Sequence, residues 1–107
     1  MIGAVICSHH DLGRALLDTV SMIVGEFPAA TSVSVRPGDG PEAIREHLVA
    51  AIAEVDSGEG VVLLCDMLGG TPSNLSLSLL GERVEVVTGV NVPMLLKLFT
   101  HRSGEHR

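Results

Sequence analysis

Tryptophan and tyrosine are missing from this 107-residue chain, and phenylalanine occurs twice. Rings that stack on bases are therefore lacking. With a net charge of −6, so is the basic surface that attracts phosphate backbones, which excludes nucleic acid as a partner. An acidic surface suits basic protein partners instead. No apolar run approaches the ~20 residues of a membrane span, so no direct membrane insertion is expected. The first apolar run starts almost at Met1 with no leader before it, and the expected location is cytoplasmic. Cysteine is scarce: Cys7 and Cys65 both sit late in apolar runs and read as small buried hydrophobes. If their strands are neighbours the thiols come close, without any need to be oxidised.

What is present is aliphatic. The chain is 46% hydrophobic, a core of Val, Leu, Ile, Ala and Met of the kind that packs between helices and a parallel sheet. Its length suits one domain with a real core. Strand and helix patterns alternate four times with no repeat and no linker. Strands are expected at Ile2 to Cys7, Thr31 to Val35 (near a sheet edge), the run from Val61, and Arg83 to Val87. Leu12, Leu16, Thr19, Val20 and Ile23 mark a first helix ended by Gly25. Pro41 starts a second helix, with Ile44, Leu48, Ala51, Ile52 and Val55 on its buried face. A third carries Leu75, Leu79 and Leu80 and is capped by Gly81. Asn91 caps a fourth, running through Met94 to Phe99. The fold expected is a single-domain three-layer α/β/α sandwich with a mainly parallel four-stranded sheet over residues 1–100, with 101–107 as a short polar tail.

The stretch from Val61 to Asn74 organises the chain. Five apolar residues run into Asp66, where a buried strand should end, and Gly69-Gly70 then permits a tight turn and a close approach. Thr71 suits a helix N-cap, and Pro72 the first helical position, where no N–H is needed. A carboxylate and free backbone N–H groups therefore meet at the carboxyl edge of a parallel sheet, where ligands bind in open α/β folds. Ser8-His9-His10-Asp11 ends the first strand at the same edge. If the two strands are neighbours, a histidine meets Asp66. The carboxylate fixes the imidazole tautomer and leaves the other nitrogen able to attack phosphorus. The glycine loop and helix N-terminus, Gly69, Gly70, Thr71 and Ser73, can hold the phosphate oxygens. No metal, cofactor, lysine or arginine need be invoked. His10, His47, His101 and His106 read as bystanders, and Arg14 as solvated.

On these residues the chain resembles the mannose-type enzyme IIA domains of the bacterial phosphoenolpyruvate–sugar phosphotransferase system. The resemblance runs over nearly the whole sequence. Ser8-His9 after an apolar strand is similar to the family's active-site turn. Leu64-Cys65-Asp66-Met67-Leu68-Gly69-Gly70-Thr71-Pro72-Ser73-Asn74 is similar to its most specific motif, and Thr88-Gly89-Val90-Asn91-Val92-Pro93-Met94-Leu95 to a third. The resemblance implies a phosphocarrier that accepts a phosphoryl group from phospho-HPr on His9, with Asp66 as its partner residue. It would pass the group to a IIB component for sugar uptake or regulation. The family usually has Gly after the active histidine, where this chain has His10. Homodimerisation is compatible with the resemblance.

Other readings are available to the same residues. His9, His10 and Asp66 could bind a divalent metal, as in small α/β tetrapyrrole chelatases. Those need a second histidine late in the chain at a strand end, and here the fourth strand ends Val87-Thr88-Gly89. A purely regulatory phospho-switch would use the same His9. The phosphocarrier subunit of dihydroxyacetone kinase is a related family, but Gly-Gly-Thr-Pro fits the mannose type better.

Overall fold

The computed structural model describes residues 1–67, 70–79 and 81–101, with nothing stated for the side chain of Ser73. Four strands, β1 (Gly3–His9), β2 (Ala30–Val35), β3 (Val61–Cys65) and β4 (Val84–Thr88), alternate with four helices, α1 (Leu12–Val24), α2 (Pro41–Val55), α3 (Thr71–Leu77) and α4 (Val92–His101). The sheet order is β2-β1-β3-β4 and every pairing is parallel. This is the expected α/β/α architecture, with β2 at an edge. β1 has β2 on one side and β3 on the other, so chain order reverses between β1 and β3. Ligands of open parallel sheets sit at such a point.

The alternation of side chains along β1 divides the core. Ala4 and Ile6 face α1 and α4, in a cluster with Val20, Phe27, Leu64, Val90 and Leu95. Val5 and Cys7 face α2 and α3, in a cluster with Ile44, Leu48, Val55, Leu63 and Cys65. With so few rings, aliphatic packing carries both faces, and the two phenylalanines meet each other edge-to-face with centroids 5.1 Å apart. Cys7 and Cys65 are register partners on neighbouring strands, and both are free and buried. Burial, followed by the neighbouring Cys65, pushes the Cys7 thiol up to about 12, and burial also raises that of Cys65. Both are small core hydrophobes, as their placement in apolar runs indicates.

Several boundaries shift by a residue or two from expectation, and three of the differences have a visible local reason. β1 continues past Cys7 because Ser8 and His9 still pair with Ser34 and Val35 of β2. His9 is therefore the last residue of a strand and is not in a turn. α3 ends at Leu77, short of the expected Leu79 and Leu80. There the Ser78 hydroxyl donates back to Leu75 O at 2.5 Å and accepts from Arg45, a local bond that competes with helix continuation. Gly81 then bridges to Val84 and does not cap α3; Leu80 lies outside the described residues. The N-cap of α3 is Gly70, with Thr71 and Pro72 as its first two helical residues, because the first intrahelical bond runs from Asn74 N–H to Gly70 O at 2.9 Å. Asn91 does cap α4, its side-chain oxygen accepting from Met94 N–H at 2.8 Å. Gly25 ends α1 with a positive φ of 87°, and α4 reaches His101.

Candidate functional site

The site is built where β1 and β3 end side by side. His9 Nδ1 lies 2.9 Å from Asp66 Oδ2, and the same oxygen accepts the His9 backbone N–H at 3.0 Å. An ionised carboxylate can only accept, so Nδ1 carries a proton, and in the neutral ring Nε2 keeps its lone pair. Asp66 is 9% exposed and His9 49% exposed, so a buried carboxylate orients a half-exposed ring. Burial pushes the Asp66 carboxyl up, but the two bonds from His9 and the charge of the ring outweigh it, and the group sits below its ordinary value. Its second oxygen, Oδ1, is buried with no hydrogen-bond partner among the described residues.

The ring is fixed from the other side as well. A β-carbon at Gly70 would lie 2.6 Å from His9 Cε1 and 3.1 Å from Nε2. The glycine therefore admits the imidazole against the start of α3, the close approach expected of the Gly-Gly pair. By position, the N–H groups of Thr71 and Ser73 fall in the first turn of α3, ahead of its first intrahelical bond. Gly69 lies outside the described residues. Behind the ring, Ser8 is fully buried; its hydroxyl accepts Gly13 N–H at 2.7 Å and donates to His10 O at 3.2 Å. This pins the β1–α1 connection, in which His10 adopts φ +53°.

In front lies an open cleft of about 420 Å³, lined by His9, His10, Val35, Arg36, Pro37, Gly38, Asp39 and Thr71. Arg36, which lines it, and Asp11, which does not, are both more engaged than their sequence context indicates. Arg36 donates to Asp11 Oδ1 at 2.6 Å, and Asp11 also accepts from Ser34. Those bonds, the Arg36 one foremost, hold the Asp11 carboxyl below its ordinary value. Asp11 occupies the N-cap position of α1 but makes no side-chain cap. The available signal was Arg36 directly following the edge strand, at the same edge as His9. Beyond Asp66, Met67 is 52% exposed, and Leu68 lies outside the described residues. His10 and His47 are exposed. Among the described residues no three His, Cys, Asp or Glu side chains gather as a metal site would require, so the metal alternative for His9, His10 and Asp66 gains nothing. No helix among them is long and apolar enough to cross a membrane.

A parallel α/β domain with a carboxylate-oriented histidine at its topological switch point is the class that fold and site define. The chain belongs to the family described as PTS system fructose IIA component, whose model matches residues 3–106. It is 33% identical over 104 residues to the PTS system fructose-specific EIIA component of Bacillus subtilis (strain 168), covering 95% of this chain and 71% of that one. It is likewise 33% identical over 106 residues to the PTS system mannose-specific EIIAB component of Escherichia coli (strain K12), covering 97% of this chain but 33% of that one. Among solved structures, the PTS IIA protein associated with the fucose utilization operon from Streptococcus pneumoniae superimposes with a TM-score of 0.84. It is 31% identical, with 92% of this chain and 76% of that chain covered. Membership of this family supports a phosphocarrier role in the sugar phosphotransferase system.

Proposed function

We propose that His9 accepts a phosphoryl group from phospho-HPr on Nε2 and passes it to a IIB component, for sugar uptake or regulation. The observation that carries this reading is the 2.9 Å contact between His9 Nδ1 and Asp66 Oδ2. It leaves Nε2 as the nucleophile. In the transfer, the Nε2 lone pair forms a bond to phosphorus while the donor's N–P bond breaks. The bonding pair stays on the donor imidazole nitrogen. Positive charge that develops on the His9 ring is stabilised by Asp66 through Nδ1–H. Such a transfer between two imidazoles depends on positioning and charge stabilisation more than on covalent rearrangement. The N–H groups of Gly70, Thr71 and Ser73 at the start of α3, with Gly69 before them, are the proposed cradle for the phosphoryl oxygens.

Incubation with phosphoenolpyruvate, enzyme I and HPr tests the reading. The expected result is acid-labile, base-stable phosphate on the protein, lost in His9→Ala and largely kept in His10→Ala. Labelling that survives His9→Ala and disappears in His10→Ala would move the site by one residue. No labelling together with stoichiometric binding of a divalent metal would favour the chelatase-like alternative.

A further inference from the structure

Phosphorylating His9 adds one to two negative charges to a place that is already acidic. Asp66 touches the ring, Asp11 follows it two residues on, and Asp39 lines the same cleft. One cation lines that cleft, Arg36. Of the other arginines and the lysine among the described residues, Arg45 bonds Ser78, Arg83 pairs with Asp56, and Arg14 and Lys97 lie on α1 and α4 without lining the cleft.

The placement of Arg36 is over-determined. Val35 is the register partner of His9 across β1 and β2, and its carbonyl accepts His10 N–H at 2.7 Å. Arg36 is the next residue, so its backbone starts about one strand spacing, ~4.8 Å, from the His9–His10 segment. The backbone is then closed into a turn: Arg36 N–H donates to Asp39 Oδ2 at 2.8 Å, and Asp39 N–H to Arg36 O at 3.1 Å. The guanidinium is held by Asp11, a residue well suited to cap α1 that spends its carboxylate on Arg36 and Ser34 instead. One terminal nitrogen is used in that bond. A guanidinium has five N–H donors in a planar fork that matches phosphate oxygens.

We infer that Arg36, oriented by Asp11, is the cation that contacts the phosphoryl group while it is on His9. Arg36 binds the phosphoryl oxygens from the cleft side, opposite the α3 backbone. Asp11 is a positioning residue that acts only through Arg36. The inference rests on the assignment of His9 as phosphoryl acceptor and adds a side-chain ligand that the sequence reading did not use.

The test combines transfer kinetics from phospho-HPr with a 31P NMR pH titration of the phosphorylated protein, for the unsubstituted chain, Arg36→Ala, Arg36→Lys, Asp11→Asn and the double variant Asp11→Asn/Arg36→Ala. Loss of one donor from a half-exposed site should lower the transfer rate about tenfold or more in Arg36→Ala, with partial recovery in Arg36→Lys. A cation beside the phosphoryl group favours its dianion. Its second ionisation should therefore fall at lower pH in the unsubstituted protein than in Arg36→Ala. Asp11→Asn should slow transfer when Arg36 is present and change nothing further when it is absent, which a merely structural role would not produce. An unchanged 31P titration in Arg36→Ala overturns the inference even if transfer slows, because that combination means a docking role. Arg36→Gln, which removes the charge and keeps a long polar side chain, supplies the same comparison should Arg36→Ala not fold. If the unsubstituted protein takes no label, the assignment of His9 itself falls; if it takes label and Arg36→Ala behaves identically, this inference alone falls.

Discussion

His9 and Gly70, 61 positions apart in sequence (70 − 9), are packed so closely that no β-carbon fits between them: it would lie 2.6 Å from the imidazole Cε1. Gly70 has φ −93° and ψ 174°, a conformation open to any residue, so its requirement is steric contact with the ring and has nothing to do with backbone strain.

Gly70→Ala therefore separates the site from the fold. The added methyl group must push the imidazole away and loosen its bond to Asp66, while α3 keeps its start. A misplacement near 1 Å costs catalytic steps on the order of 100-fold. Phosphoryl acceptance should drop by roughly that factor, with a thermal midpoint within a few degrees of the unsubstituted protein. Unchanged transfer in a folded Gly70→Ala protein would mean that the ring position seen here is not the reactive one.

The His9–Asp66 pair also makes a pH prediction. The Asp66 carboxyl lies below its ordinary value: burial raises it, and the bonds and charge of His9 more than offset that. A depressed carboxyl contributes stability that is present above its unfolded pKa, about 4, and is lost as pH falls through the lower folded value. Asp11 and Asp56 are depressed as well, so the informative quantity is the difference from Asp66→Asn. That stability difference should shrink as pH falls below about 4. Denaturant midpoints measured above and below that pH check it; a difference independent of pH would contradict the pairing. At neutral pH, Asp66→Asn should fold and accept phosphate at least about tenfold more slowly, since the negative charge that stabilises the ring is gone.

His10 stands in the left-handed region, φ +53°, where a β-carbon is strained by about 1 kcal/mol or more. On backbone grounds glycine would suit this position better than histidine. His10→Gly should raise stability by up to about 1 kcal/mol, the gain tempered by the freer unfolded chain. His10→Val, β-branched, should lower it by more than about 1 kcal/mol. Both should keep the capacity for phosphorylation on His9. Thermal unfolding of the two variants gives the sign directly; a His10→Val protein as stable as the parent would show that the turn relaxes to another conformation.

Much of this was legible in the residues themselves. Apolar runs ending in His9 and Asp66 placed both at the carboxyl edge of a parallel sheet, because a buried strand must stop where a polar side chain needs a partner. Gly25 and Asn91 announced helix ends by their own backbone and side-chain chemistry. What escaped was decided by partners distant in sequence. β1 runs on to His9 because β2 is there to pair with it. α3 stops at Leu77 because the Ser78 hydroxyl finds Leu75 O. Thr71 is not the N-cap, because helical bonding begins one residue earlier, with Asn74 N–H on Gly70 O. Only the folded chain brings Arg36 near enough to claim the Asp11 carboxylate.

The most direct measurement is 31P–1H correlation NMR of the protein after phosphorylation by phosphoenolpyruvate, enzyme I and HPr, read at the ring nitrogen that bears the phosphorus. With Nδ1 committed to Asp66 at 2.9 Å, the account predicts a single phosphohistidine, at His9, with phosphorus on Nε2. Phosphorus on Nδ1 of His9, or on His10, would contradict it.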